Sequence, residues 1–233
     1  MLSSTTKIVT IVMRFDLFLP PLTIAFLLTA VFSLIFLFFP LLQRPWWRRG
    51  ERHKKKGTLS RLGGAALVLG FCLTVLTDSH LVISQEILGL LVGAVLIAFV
   101  GLWDDFQELN FKIQGFFQVA ITVIVFIFGI RITAIRNPFG HVFVLPEEGV
   151  LAIILGFIVL LLWMVLVLNA VNWLDGLDGL LGSVSGITFL TIFFLSLKPE
   201  VNQPPVATLA VIAAGAAFGF LLFNIHPARI LAG

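Results

Sequence analysis

Apolar positions along this chain gather into long blocks separated by short polar stretches, with no sustained alternation of the kind a strand requires. A spanning α-helix needs about 20 predominantly apolar residues, each rising about 1.5 Å. Seven blocks meet or approach that length: 17–42, 62–79, 86–103, 113–131, 150–171, 179–198 and 205–224. The pattern predicts an all-α fold, a polytopic transmembrane helix bundle forming a single transmembrane domain over 1–233. Residues 1–16 are expected to be an N-terminal extension. The second block is the shortest, with Arg61 and Asp78 enclosing it. The first is too long for a signal-peptide core and lacks a small-residue cleavage site, so it reads as a retained helix. Pro20, Pro21 and Pro40 are expected near the ends of that helix, where proline is best tolerated.

Composition sharpens the class. Hydrophobic residues make up 59% of the 233 residues and charged residues 12%, against about 25% charged in an ordinary soluble domain. Twenty-four Phe and no Tyr add to the impression of lipid-facing surface. The single Cys72 lies within an apolar block, which excludes a disulfide framework and reads as a small buried hydrophobe.

Charge then orients the blocks. Eight of the fifteen basic residues fall between Arg44 and Arg61, opposed only by Glu51. Such a run could serve nucleic acid, but its place between two apolar blocks fits a cytoplasmic loop under the positive-inside rule, so no nucleic-acid partner is expected. The inside set becomes 43–61, 104–112, 172–178 and the stretch from 225. The N-terminus, 80–85, 132–149 and 199–204 lie outside. Lys112 and Arg229 bring the inside total to ten, against Lys7, Arg14, Arg131, Arg136 and Lys198 outside. No repeat relates the two halves, so an inverted-repeat transporter is not suggested.

Four polar constellations fall at the inside ends. The first is Asp104-Asp105 after an apolar block, followed by Lys112, Gln114 and Gln118. Adjacent carboxylates repel, oppose the helix macrodipole and offer hard oxygen ligands suited to Mg²⁺; a solvated helix end is the plainer alternative. The second is Asn169-Ala170-Val171-Asn172-Trp173-Leu174-Asp175-Gly176-Leu177-Asp178-Gly179-Leu180. Pairs three apart meet on a helical surface, the glycines are expected to break the helix, and Asp178 is a candidate N-cap for the next span. A capped turn would account for one Asp and one Gly, not for two Asn and two Asp-Gly units. The third is Asn224-Ile225-His226-Pro227-Ala228-Arg229, where Arg229 can contact phosphate and His226 can bind substrate or move a proton. The fourth runs from Lys54 to Arg61 and Gly64, positive charge beside a helix N-terminus, which is an anion site or simply topogenic charge. Together these groups could hold Mg²⁺, a diphosphate and sugar hydroxyls, the needs of phosphoryl transfer between a sugar nucleotide and a lipid phosphate.

These motifs resemble the polyprenyl-phosphate N-acetylhexosamine-1-phosphate transferases, glycosyltransferase family 4. The resemblance runs from about Arg44 to the last residue, on RLGG at Arg61–Gly64, DD at Asp104–Asp105, NxxNxxDGLDGL at Asn169–Leu180 and FNxHPARI at Phe223–Ile230. It implies a Mg²⁺-dependent enzyme, with Mn²⁺ as an alternative ion, in which a polyprenyl phosphate attacks a UDP-sugar at the cytoplasmic membrane face. UMP is released and a cell-envelope glycan begins. Catalytic roles fall to Asp104, Asp105, Asp175 and Asp178, and metal binding to Asn172, Asp104, Asp105 and Asp175. Substrate binding falls to Lys56, Asn169, Asn172, Asn224, His226 and Arg229. The partners are UDP-N-acetylhexosamine, polyprenyl phosphate and the lipid bilayer; a homodimer is one assembly open to the chain, whose oligomeric state the sequence does not give.

Arg61-Leu62-Gly63-Gly64 and His226-Pro227-Ala228-Arg229 resemble the branch using UDP-N-acetylglucosamine, rather than the UDP-N-acetylmuramoyl-pentapeptide branch with Met before its Gly-Gly. The run Lys56-Gly57-Thr58-Leu59-Ser60-Arg61 departs from the family's Lys-Pro-Thr-Pro-Arg by one extra residue and two missing prolines. The family continues through a Gly-Asp-Ser-Gly loop and further spans. The resemblance therefore implies that this polypeptide is a fragment, inactive by itself, that stops before one metal-binding aspartate. Two other readings are an ion-coupled membrane transporter and a degenerate, non-catalytic family member. A transporter should place acids near mid-bilayer, whereas 86–103 and 150–171 carry them only at their ends.

Overall fold

The computed structural model describes residues 4–38, 60–136, 139–146 and 148–232, with side chains from Asp16 onward. Helices form where the apolar blocks predict them: α1 Ser4–Phe38, α2 Gly63–Thr77, α3 Gln85–Gln107, α4 Phe111–Ile127, α5 Gly149–Leu174, α6 Leu180–Ser196 and α7 Pro204–Asn224. Among the described residues, four apolar segments are long enough to cross a bilayer: Asp16–Phe38, Gln85–Gln107, Gly149–Leu174 and Pro204–Asn224. The other three helices, of 15, 17 and 17 residues, are apolar but shorter. The chain is an all-α, multi-pass membrane protein.

Three local expectations need correction. Helix α1 starts at Ser4, inside the stretch expected as an extension, so Pro20 and Pro21 lie within it rather than near its end. Proline is tolerated inside membrane helices where neighbouring groups re-satisfy the freed carbonyls; next to the pair, the Thr23 hydroxyl donates to the Pro20 carbonyl at 2.9 Å. The stretch 132–149 holds a small antiparallel hairpin, β1 Ala134–Arg136 and β2 Val142–Val144, with Ala134 opposite Val144 and Ile135 opposite Phe143. Its β-branched and aromatic residues favour strand over irregular loop. The N-cap position of α6 falls to Gly179, whose φ of 77° a glycine adopts without strain, rather than to Asp178.

The described chain divides into two compact units, 1–82 with 175–233, and 83–174. In the first, α7 lies against α1, α2 and α6. Its centre is made of small residues, from Ala213 to Ala217 with Gly215 and Gly219, all buried. A Cβ on Gly215 would meet the Leu22 carbonyl oxygen of α1, and one on Gly219 the Phe26 carbonyl oxygen. Gly182 and Gly186 of α6 meet Leu221 and Phe218 of α7 in the same manner. Lipid tails are as apolar as leucine side chains, so membrane helices associate by close backbone approach at small residues, and the Gly-x-x-x-Gly spacing presents two on one face.

The second unit joins α3 to α4 and α4 to α5. Larger side chains fill these seams. The Phe126 and Phe157 rings meet edge-on with centroids 5.5 Å apart, and Trp103 lies 5.6 Å from Phe117. Ile121, Thr122 and Val125 are the buried residues of α4.

Candidate functional site

The Asp-Gly-Leu-Asp-Gly segment is a turn held from outside itself. Helix α5 ends at Leu174, just before the glycines expected to break it, and Asp175 leads the turn. Four contacts from the end of α7 and the segment after it fix the turn. The Ala232 N–H donates to Asp175 Oδ1 at 3.2 Å. The Ala228 N–H donates to Asp178 Oδ2 at 3.2 Å, and His226 Nδ1 lies 3.0 Å from that same oxygen. The Gly179 N–H donates to Asn224 Oδ1 at 2.9 Å.

Asn224 ties the two motifs together. It is 1% exposed; while its oxygen accepts from Gly179, its Nδ2 donates to the Ile230 carbonyl at 2.9 Å. Both ends of the amide are engaged in the fold. His226 and Arg229 are exposed on the same segment.

Residues 230–232 then cross the start of α2. Ser60 and Ile230 pair as a parallel bridge, and the Leu231 N–H donates to the Ser60 carbonyl at 2.9 Å. The Gly63 and Gly64 N–H groups donate to the Leu231 and Ala232 carbonyls, each at 2.9 Å. These are two of the donors that a helix start leaves unpaired, and as an anion site the α2 N-terminus is therefore partly filled by backbone. The Gly-Gly pair has a steric origin: a Cβ on Gly63 would stand 2.5 Å from the Leu231 oxygen, and one on Gly64 2.6 Å from the Ala232 oxygen. Three sequence motifs (RLGG, DGLDG and FNxHPARI) thus form one hydrogen-bonded knot within the first unit.

In the second unit the aspartates end α3. Asp105 is buried. Asp104 Oδ1 accepts from the Leu109 N–H at 2.7 Å and from Gln114 Nε2 at 3.0 Å. Together these contacts close the α3–α4 corner, where Glu108 takes a left-handed φ of 45°. Two N–H groups thereby offset the charge that this carboxylate brings to a helix C-terminus. Gln118, one turn beyond Gln114, faces Asn169 of α5, whose Nδ2 lies 3.4 Å from Gln118 Oε1 and 2.7 Å from the Val165 carbonyl. Asn172 is exposed. Lys56 lies outside the described residues. Among the described residues no group of three or more His, Cys, Asp or Glu could hold a metal ion.

The partners that sequence reasoning missed are mostly backbone groups. The N–H groups of Leu109, Gly179, Ala228 and Ala232 carry no side-chain signature. The side-chain partners Gln114, Asn224 and His226 mark their own places.

Comparison with known proteins places this architecture. The profile of glycosyl transferase family 4 matches residues 87–233. A probable undecaprenyl-phosphate N-acetylglucosaminyl 1-phosphate transferase of Bacillus subtilis is 27% identical over 75% of this chain and 46% of its own length. A putative UDP-N-acetylglucosamine–dolichyl-phosphate N-acetylglucosaminephosphotransferase of Sulfolobus acidocaldarius is 29% identical over 74% of this chain and 52% of its own. A phospho-N-acetylmuramoyl-pentapeptide-transferase of Geobacillus is 32% identical over 90% of this chain and 68% of its own. The chain spans about half the length of the first two.

Proposed function

This chain belongs to glycosyl transferase family 4, and from that membership we propose that it transfers a sugar-1-phosphate from a UDP-sugar to a polyprenyl phosphate. The preferred donor is UDP-N-acetylglucosamine, the product besides the lipid diphosphate sugar is UMP, and the reaction initiates a cell-envelope glycan at the cytoplasmic membrane face. The observation that supports this most directly is the knot around Asp175 and Asp178. Backbone N–H groups hold both carboxylates in place after a membrane helix, so their oxygens are pre-positioned to hold a cation that would neutralise charge on a transferring phosphoryl group.

Asp175 and Asp178 orient the nucleotide and, with Asn172, a Mg²⁺ ion. Mg²⁺ (Mn²⁺ could replace it) is typically bound by one or two carboxylates plus substrate phosphates. When bound, the ion neutralises diphosphate charge. Asp104 and Asp105 serve the reacting centre, as metal ligands or by taking the proton of the lipid phosphate. Arg229 and His226, exposed beside the knot, contact phosphate, and Lys56 and Asn169 contact the donor. Asn224 contributes by fixing the turn.

The test is UMP release from UDP-N-acetylglucosamine and polyprenyl phosphate with Mg²⁺. It is run on this chain joined to the C-terminal part of the Bacillus subtilis relative. Asp175→Asn should lower the rate by about 100-fold or more, the scale for losing one preorganised electrostatic group. A rate unchanged by Asp175→Asn and by Asp105→Asn would remove both from the site.

A further inference from the structure

The hairpin between α4 and α5 carries exposed apolar residues on both faces. Ile135 and Phe143 are directly opposed and share one face, while Ala134, Arg136, Val142 and Val144 share the other. The five apolar residues are all exposed, Phe143 at 61% and Val144 at 65%. An isolated two-stranded sheet is at best marginally stable in water, and here the Ile135–Phe143 face carries no polar residue. Monomeric soluble surfaces seldom leave such patches bare.

Its tethers restrict what can cover it. Arg131 follows α4, and its guanidinium lies over the Phe126 ring, 5.1 Å from the centroid. Apolar body below and charge above is the posture of a side chain at the level of lipid headgroups. Ala134 is three residues beyond Arg131, so the hairpin starts within about 10 Å of that level. Val144 is five residues before Gly149, where the most apolar span begins. The exposed apolar surface of both spans continues into the hairpin, through Val123 and Ile127 on α4 and Val150, Leu151, Ile153 and Ile154 on α5. The interfacial layer is about 5–8 Å deep on each side of the hydrocarbon, so a three-residue tether starts β1 within that layer or just beyond it.

We propose that the hairpin strands Ala134–Arg136 and Val142–Val144 form a membrane-interface anchor, seated among lipid headgroups and upper acyl chains and held there by Ile135, Val142, Phe143 and Val144. Arg131 and His141 flank it with groups that suit anionic headgroups. Water reaches that layer and can satisfy the open strand edges, which hydrocarbon alone could not do.

The test places single cysteines at Phe143 and Val144, one per face, in a Cys72→Ser background, with Asn202→Cys as an exposed-turn control. Each carries an NBD fluorophore in phosphatidylglycerol–phosphatidylcholine vesicles. Both hairpin probes should emit at shorter wavelength than the control and be quenched most by lipids spin-labelled near the headgroup. Emission and quenching equal to the control would overturn the anchor. So would fluorophore self-quenching that disappears when labelled protein is diluted with unlabelled protein, because a second copy would then be the cover. Where a substituted chain fails to assemble, a headgroup-proximal diazirine lipid added to the unsubstituted protein should mark the peptide containing 134–146. Marking absent there but present on α5 would reject the proposal.

Discussion

Helices α5 and α7 invert the usual link between hydropathy and burial. The α5 segment has the higher mean hydropathy, 3.2 against 2.3, yet 11% of its most apolar window is buried inside the protein, against 67% for α7. In water the more apolar helix would occupy the core. In a bilayer the lipid solvates leucine and isoleucine as well as a core does, so the interior is decided by which residues let backbones approach. Leu-, Ile- and Val-rich α5 is dressed for lipid. Alanine- and glycine-rich α7 is the helix the first unit is built around, and its C-terminus delivers Asn224, which orders the Asp-Gly turn.

Substitutions can break that contrast. The largest loss is expected for Asn224→Ala, which leaves the Gly179 N–H and the Ile230 carbonyl without their partner. Each such group costs about 1–3 kcal/mol when buried. Thermal unfolding in detergent should move down accordingly, and Asn224→Asp should recover only the acceptor half. Next comes Gly219→Ala, whose new methyl would run into the Phe26 carbonyl of α1, an overpacking cost of about 1–3 kcal/mol readable in the same melt. The smallest effect belongs to the same substitution on the other helix. A Cβ at Gly156 of α5 meets only Phe126 Cε2 at 3.8 Å, an ordinary contact. Gly156→Ala should be neutral or stabilise by up to about 1 kcal/mol through helix propensity. Equal losses at Gly219 and Gly156 would erase the distinction between the two helices.

The helices were legible because the bilayer imposes one length and one solvent on each of them. The block expected at 205–224 is found as Pro204–Asn224, and that at 150–171 as Gly149–Leu174. Errors fall where hydropathy carries no information. Ser4 begins α1 in a stretch mixing Ser, Thr and Lys with apolar residues, and the hairpin's three-residue strands are too short to show a period. The motifs around Asp104, Asp175, Asp178 and Asn224 could be picked out because unpaired polar groups are costly in an apolar chain. Their partners could not. Asp175 reaches the N–H of Ala232, 57 residues away, and nothing in an alanine announces that its amide is a ligand. The Gly63-Gly64 pair closes a run that reads as an anion site or as topogenic charge, and nothing in that run announces the strap of residues 230–232 lying against the pair.

The central claim is that a phosphoryl-bearing sugar moves to the lipid, not the sugar alone. UDP-N-acetylglucosamine carrying ³²P in the phosphate attached to the sugar separates the two. It is supplied with polyprenyl phosphate and Mg²⁺ to this chain completed by the Bacillus subtilis C-terminal portion. The account predicts that ³²P enters the lipid fraction while unlabelled UMP is released, and that Asp175→Asn suppresses both. Label leaving in UDP while the lipid gains only the sugar would contradict it.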